Sequence, residues 1–216
     1  MTERPGILAI WNNVAPGREG EFEEWFQHEH LEERIAVPGF MLGRRHEIVP
    51  GLAVSGSPRF FNYYVVQSAD VLKSSAYLAR LDDPTPMTRR IMSEVFRDMI
   101  RTACHRTLRL GAMRGTAVVT ARFGTRPDEG ELKRVIETLL RDKAVACGEI
   151  WSAATPREFP VSEEERLRGG DGKIETCLIV DTLRVADAET IAAAWAGQFP
   201  GAAVGVYRLL CEIRPA

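Results

Sequence analysis

Residues 7–49 read ILAIWNNVAPGREGEFEEWFQHEHLEERIAVPGFMLGRRHEIV, and the physical signals along them run strand, turn, amphipathic helix, strand. The apolar opening run ends at Ala15-Pro16-Gly17, a turn signal. Glu19, Glu21, Glu23 and Glu24 follow, where the positive end of a helix favours acidic side chains. Phe22, Trp25 and Phe26 share one face at i, i+3, i+4 spacing, so this helix should pack against a sheet. Pro38-Gly39 closes the helical region, and residues 40–49 return as a second strand.

Working outward, residues 50–58 form a loop and residues 60–67, rich in aromatic and branched side chains, a third strand. Residues 69–81 read as helical. After Asp82-Asp83-Pro84 a second helix is expected over 86–101, with Ile91, Met92, Val95, Phe96, Met99 and Ile100 on one apolar stripe. Residues 102–112 then form a fourth strand. The order β-α-β-β-α-β is the split βαβ or ferredoxin-like signature, and it recurs. A strand over 116–123 precedes a helix over 128–141, with Leu132, Val135, Ile136 and Leu139 on one face, and a strand over 144–154. The polar stretch 162–173 reads as mobile surface loop. A strand over 174–183, an Ala-rich helix over 187–199 and a strand over 203–213 complete the second unit. The chain is therefore expected to be α+β: two tandem ferredoxin-like units, 1–112 and 113–216, joined almost without linker at 111–115. Each unit covers one sheet face with helices and leaves the other bare, which packing the two units sheet to sheet would solve.

Bulk properties narrow the function. The 216 residues carry a formal net charge of -2, which argues against a nucleic-acid partner, since that needs a basic face to displace counterions. Hydrophobic content of 45% and charged content of 27% are ordinary for a globular protein. No apolar run approaches the roughly 20 residues that span a bilayer, so no membrane association is expected. The opening MTERPGILAI lacks the features of a secretory signal. Cys104, Cys147, Cys177 and Cys211 fall in apolar runs without CxxC spacing, as small core residues of a reducing compartment would. A cytoplasmic protein with a small-molecule ligand is the expectation.

The candidate chemistry is concentrated in the first half, which holds all four histidines. His30 is the leading candidate for a general base or acid, because a neutral imidazole beside a cavity can move a proton near neutral pH. The alternative is a residue that only satisfies carbonyls at a helix C-terminus. His28-Glu29-His30 tempts a metal reading, but histidines two apart on an α-helix diverge by about 200°, so no metal is expected. Glu29 extends the Phe22, Trp25, Phe26 stripe. If the helix persists, its carboxyl points into apolar surroundings with a raised pKa and could assist as acid or base; if the helix frays, it is solvated.

Trp11 and Asn13 share one strand face, with Asn12 on the other. An aromatic and an amide there would suit a mostly apolar pocket with one orienting hydrogen bond, or else Trp11 is core and the asparagines form a turn. Tyr64, on the face of Asn62, could donate to a carbonyl oxygen. Arg44 and His46, or Arg45 and Glu47, could line the barrel, or else face solvent, and Asn13 or an arginine would hold that oxygen, with Glu29 or His28 assisting His30. Arg89, Arg90 and Arg101 read as the wet side of the second helix.

Trp25-Phe26, His30 four positions on, and Pro38-Gly39 together resemble the pattern of the EthD family of dimeric α+β barrels, with Glu32 standing where that family often has proline. The resemblance covers about the first 50 residues. It implies a pseudo-dimeric barrel in one chain, in which two ferredoxin-like units bury a central cavity, as a monomer or a homodimer. It also places His30 in the register of the family histidine. Relatives of this fold include cofactor-free monooxygenases, lactone isomerases, polyketide cyclases and haem-containing dehydratases or peroxidases. The expectation is a cofactor-independent enzyme acting by proton transfer on a carbonyl-bearing or aromatic metabolite, with no resident cofactor. The alternatives are a nonenzymatic accessory protein that binds a metabolite or haem, for which His105, on the face of Thr107 and Arg109, would be the best axial candidate, and a purely structural fusion with a filled barrel and no cavity, in which large apolar residues plug the sheet interface.

Overall fold

The computed structural model describes residues 4–50, 57–155 and 159–215; most of the expected loop at 50–58 lies outside them. The first half supplies β1 (Gly6–Val14), β2 (Phe40–Ile48), β3 (Phe60–Val66) and β4 (Phe96–Leu110). From the second half come β5 (Ala117–Phe123), β6 (Val145–Ala153), β7 (Thr176–Thr182) and β8 (Ala203–Ile213). All eight close into one barrel in the order β1-β3-β2-β8-β5-β7-β6-β4. Around that ring, β4-β1-β3-β2 and β8-β5-β7-β6 follow the same fourth-first-third-second order, which is the expected pair of ferredoxin-like units. The units also pair edge to edge, β2 with β8 and β4 with β6, both antiparallel. Closure gives every strand two neighbours and leaves no unpaired sheet edge.

Side chains alternate across each strand, so the barrel has an inner and an outer layer. The inner layer is filled: Trp11, Phe61, Tyr63, Trp151 and Tyr207 are buried together, with Trp11 stacked on Phe61 at 4.8 Å and Tyr63 tilted against Trp151 at 5.0 Å. The central cavity implied by the family resemblance is therefore occupied by the protein's own aromatic rings.

Helices form the outer layer. Over the first sheet lie α1 (Glu19–Trp25), a π-helical turn at Phe26–His30, α2 (Leu31–Ile35), α3 (Ser75–Asp82), α4 (Pro86–Arg90) and a second π-helical turn at Ile91–Val95. Over the second lie α5 (Glu129–Leu139) and α7 (Val185–Gln198). A short helix, α6 (Glu163–Leu167), leaves the second half and packs on α3 and on the second π-turn.

Two expectations need correction. The helix expected over 86–101 stops at Val95. Phe96 and Ile100 are strand residues, opposite Val14 and Trp11 in the β1–β4 ladder, because sheet pairing overrides a local helical period. The ladder's irregularity between Trp11 and Asn13 faces Asp98, whose φ is +51°. The stretch 162–173 is not loose surface: Ser162 caps α6 by accepting from the Glu165 N–H at 3.3 Å, and the Glu164, Arg168 and Asp171 side chains are at most 5% exposed.

Candidate active site

The site begins with the π-helical turn. The Leu31 N–H bonds to the Phe26 carbonyl, five residues back instead of four, so one extra residue is inserted and everything after it rotates by about 100°. His30 thereby takes the place on the Phe22, Trp25, Phe26 stripe that regular α spacing gives to Glu29, and Arg34 takes the place of Glu33. His30 is 7% exposed, with its ring 4.3 Å from Trp25 and 5.3 Å from Phe26. Glu29 is turned aside, half-buried. It accepts from Thr85 Oγ1 at 2.5 Å and Thr88 Oγ1 at 2.7 Å, while Thr88 Oγ1 also accepts from Trp25 Nε1 at 2.9 Å. Its surroundings are hydroxyls, neither the apolar pocket of an unbroken helix nor the open solvent of a frayed one. His28 is exposed and takes no part.

Between the outer face of the first sheet and these helices is a cavity of about 30 Å³, room for roughly one water. Leu8, Ile10, Phe26, Met92, Phe96 and Met99 make it apolar. Its polar lining is His30, Arg34, Tyr64, Asn12, Asn62 and Arg101, with Glu164 and Arg168 arriving from the second half. Four buried polar atoms of that lining have no hydrogen-bond partner among the described residues: His30 Nδ1, Arg34 Nη1, Tyr64 Oη and Asn62 Oδ1. Buried polar atoms are rarely left unpaired, and four around one small space make an arrangement suited to a polar guest.

The electrostatics are one-sided. Arg34 forms a buried ion pair with Glu164, and Arg168 binds Asp171 through two contacts of 2.8 Å. Arg101 donates to Tyr77 Oη at 2.7 Å and is joined to no carboxylate among the described residues. Burial pushes the His30 pKa well below the usual imidazole range, and Arg34, Arg168, Arg101 and Arg45 push the same way, so the ring is neutral. Burial raises the Tyr64 phenol, outweighing Arg34, and the group stays a donor. Desolvation opposes the charge on Arg34, but Glu164 and then Tyr77 outweigh it. The arrangement combines a neutral base, a phenol donor and an excess of guanidinium charge.

Of the residues expected here, His30 and Tyr64 line the cavity and the others do not. Trp11 points into the barrel, because the face of β1 that meets the helices carries Leu8, Ile10 and Asn12; it is Asn12, not Asn13, that lines the cavity. Asn13 secures the β1 irregularity, donating to Asp98 at 2.8 Å and accepting from the Arg59 N–H at 2.7 Å. Arg44 also faces inward, bonded to Asp181 at 3.0 Å and to the Gly115 carbonyl at 2.6 Å, and so ties β2 to the junction between the halves. His46 is its inward neighbour, stacked on Phe61. Arg45 faces the helices, forked onto Glu23 at 2.6 and 2.7 Å. His105 is half-buried on β4 and lines neither the cavity beside His30 nor the larger one adjoining it.

Sequence reasoning missed Arg34, Arg101, Glu164 and Arg168. The apolar spacing did hold a signal for Arg34: the stripe jumps five residues from Phe26 to Leu31 before reaching Ile35, the phase slip of an inserted residue. For α6 the signal was Ser162 followed three positions later by Glu165, a capping pattern. Nothing local marks Arg101, whose placement depends on where the helix gives way to β4.

Among the described residues no cluster of three or more His, Cys, Asp or Glu is placed to hold a metal. A porphyrin far exceeds the space beside His30, so haem there would need the helices lifted off the sheet. The four cysteines are unpaired, and no described helix is long and apolar enough to cross a membrane.

No known family model matches the chain, and no curated protein matches it. Solved structures do. An anthrone oxidase-like protein superimposes with a TM-score of 0.64 at 11% identity, over 98% of this chain and 93% of that one. A candidate monooxygenase from Fusobacterium nucleatum subsp. nucleatum gives 0.60 at 9%, over 100% and 97%. A candidate chlorite dismutase gives 0.55 at 10%, over 97% and 96%. At such identities the likeness is one of fold: the whole chain has the ferredoxin-like α+β barrel architecture of these structures.

Proposed function

We propose that this chain is an EthD-like, cofactor-independent enzyme acting on a small carbonyl-bearing or phenolic molecule, and that its first step is proton transfer to His30. The observation that carries the reading is the convergence on one small cavity of a neutral His30, packed against Trp25 and Phe26 with its Nδ1 unpartnered among the described residues, the Tyr64 hydroxyl, and guanidinium groups in excess. An activated C–H or O–H entering this space gives its proton to the imidazole, leaving an enolate or phenolate whose oxygen accepts from Tyr64 and Arg34. The same cations that keep His30 neutral in the free protein stabilise that anion, and the anion in turn stabilises the new imidazolium. Charge is thus created only when both partners are present, the condition for stabilising a transition state more than a ground state. Oxygenation, isomerisation, cyclisation and elimination all begin from such an anion. The first half carries the chemistry, and the second completes the wall through α6.

The test follows the proton. In deuterated buffer, NMR should show the protein exchanging the α-hydrogens of its responsive members of a panel of cyclic ketones, lactones and aryl ketones. His30→Ala should slow exchange by about 10²- to 10⁴-fold, the usual worth of a positioned general base. Exchange by His30→Ala at the wild-type rate would overturn the assignment. Hemin serves as a second arm: a saturable visible spectrum with no exchange activity would move the reading to a haem-binding accessory protein.

A further inference from the structure

The cavity beside His30 is too small for an organic molecule, yet it does not stand alone. Arg101 and Leu81 also line a second cavity, of about 220 Å³, so the two compartments share a wall. The second is larger than an apolar cavity of about 150 Å³ that takes benzene, which suits one ring or two fused rings. Its sides are apolar, from Leu72, Ala103, Ala153, Phe159 and Ile174. Its charges are set apart by position. At the outer rim Lys173 is paired with Glu165 at 3.2 Å, and Glu175 with Arg126 at 3.0 Å. At the shared wall stands Arg101, half-buried, donating to the Tyr77 hydroxyl and in contact with no carboxylate among the described residues, while Asp171 and Glu164 favour its charge from a greater distance. Its neighbours Arg34 and Arg168 are already in contact with carboxylates, which leaves Arg101 the guanidinium open to an incoming anion.

We infer that the two cavities form one bipartite site for a hydrophobic monocarboxylate of one or two rings, with the ring system in the larger compartment and the carboxylate on Arg101. This rests on the proton-transfer reading for the identity of the smaller compartment, and it adds the substrate class. The polarity of the site sets the orientation, since the rim charges are already paired with one another and the inner end offers Arg101 to the anion. Because Arg101 and His30 line the same small space, the acidic hydrogen of the substrate lies within a few bonds of its carboxylate. A β-keto or arylacetic acid meets that description, and a long-chain acid does not.

Calorimetric titration of the full chain with 2-naphthylacetate and its uncharged isostere 2-naphthylacetamide tests this without calling on turnover. The acid should bind at least tenfold more tightly than the amide. Arg101→Met should abolish that preference by weakening the acid while leaving the amide unchanged, and Arg101→Lys should restore part of it. Ala153→Phe, which fills the larger compartment, should weaken both. Equal binding of acid and amide to the wild type would overturn the role of Arg101, and no binding of either would overturn the larger compartment as the ring site. His30→Ala should keep the preference for the acid. If it does, and the wild type exchanges no substrate proton, the bipartite acid site stands and the proton-transfer reading falls.

Discussion

The two halves use the same strand order and the same helix-on-sheet layering, yet what lies between sheet and helices differs. In the second half the centre of that layer is apolar, with Thr176 and Thr182 buried at its ends: Val119, Leu178, Val180 and Val206 from the sheet meet Leu132, Ile136, Ala188, Ile191 and Trp195 from α5 and α7. In the first half the corresponding layer holds Asn12, Asn62, Tyr64, His30, Arg34 and Arg101. The helices differ in step. α5 and α7 run 11 and 14 residues, while over the first sheet the helices are short and broken by two π-helical turns. The second half shows that the centre of this layer can be filled by apolar side chains, so the histidine, phenol and guanidinium groups that occupy it in the first half carry a desolvation cost for which the proposed chemistry is the account.

The sharpest way to break the comparison is to make the first half resemble the second. His30→Leu should lower proton exchange by about 10²- to 10⁴-fold while leaving the melting temperature unchanged or raised, since it replaces a buried group with an unpaired Nδ1 by an apolar one. Ile136→Ala should do the reverse, costing about 2 to 5 kcal/mol of stability with exchange per folded molecule unchanged. A His30→Leu protein that melts far lower would show that the polar layer is structural after all.

Next in size is the ion pair that joins the halves. Arg34 and Glu164 are both almost fully buried and come from α2 and α6, so Glu164→Gln leaves a buried guanidinium without its counter-charge. Urea unfolding should register a loss of about 3 to 5 kcal/mol. The double variant Arg34→Met, Glu164→Leu should recover most of it, because removing both charges also removes both desolvation costs. Failure of the double variant to recover would mean that the pair does more than neutralise itself.

This pair also marks the limit of what the sequence reveals. Seven of the eight strands were legible to within two residues, because period-two patterning and turn signals are local; β4 begins six residues earlier than expected. His30 and Tyr64 were legible as candidates from their residue type, and both line the cavity. Arg34 was not, because an α-helical ruler laid along residues 19–35 turns Glu33 inward and Arg34 away. Glu164 and Arg168 were hidden by composition: a stretch as charged as 162–173 reads as solvated unless its partners, more than 70 residues away in the chain, are known. Arg101 was hidden because Phe96, Met99 and Ile100 keep helical spacing, and only pairing with β1 makes them a strand.

A smaller effect separates the halves by pH. Burial lowers the pKa of His46 to about 3, with Arg44 adding to it, and lowers that of His30 in the same direction; the second half has no histidine. Below about pH 6.5 the unfolded chain binds protons on these rings that the folded chain refuses, so stability falls as pH falls. Each ring should contribute a slope of about 1.4 kcal/mol per pH unit, His46 down to about pH 3. Measured between pH 6.5 and 5, above most carboxylate titrations, the slope should lessen in His46→Leu and again in the double variant with His30→Leu. An unchanged slope would place the acid sensitivity outside the first half's histidines.

The smallest effect bears on the turn that builds the site. In an α-helical register Glu29 would be the acid or base and His30 would sit at the edge of the stripe; in the π-helical register Glu29 only ties the turn to the start of α4 through Thr85 and Thr88. Glu29→Gln keeps an oxygen for those hydroxyls and loses the charge that favours a helix N-terminus, a cost of about 0.3 to 1 kcal/mol. Exchange should stay within about threefold of wild type, far from the loss caused by removing a general base. If Glu29→Gln instead abolished exchange and His30→Leu spared it, the extra residue between Phe26 and Leu31 would not be rotating the histidine into the cavity, and the first half would owe its chemistry to the carboxylate.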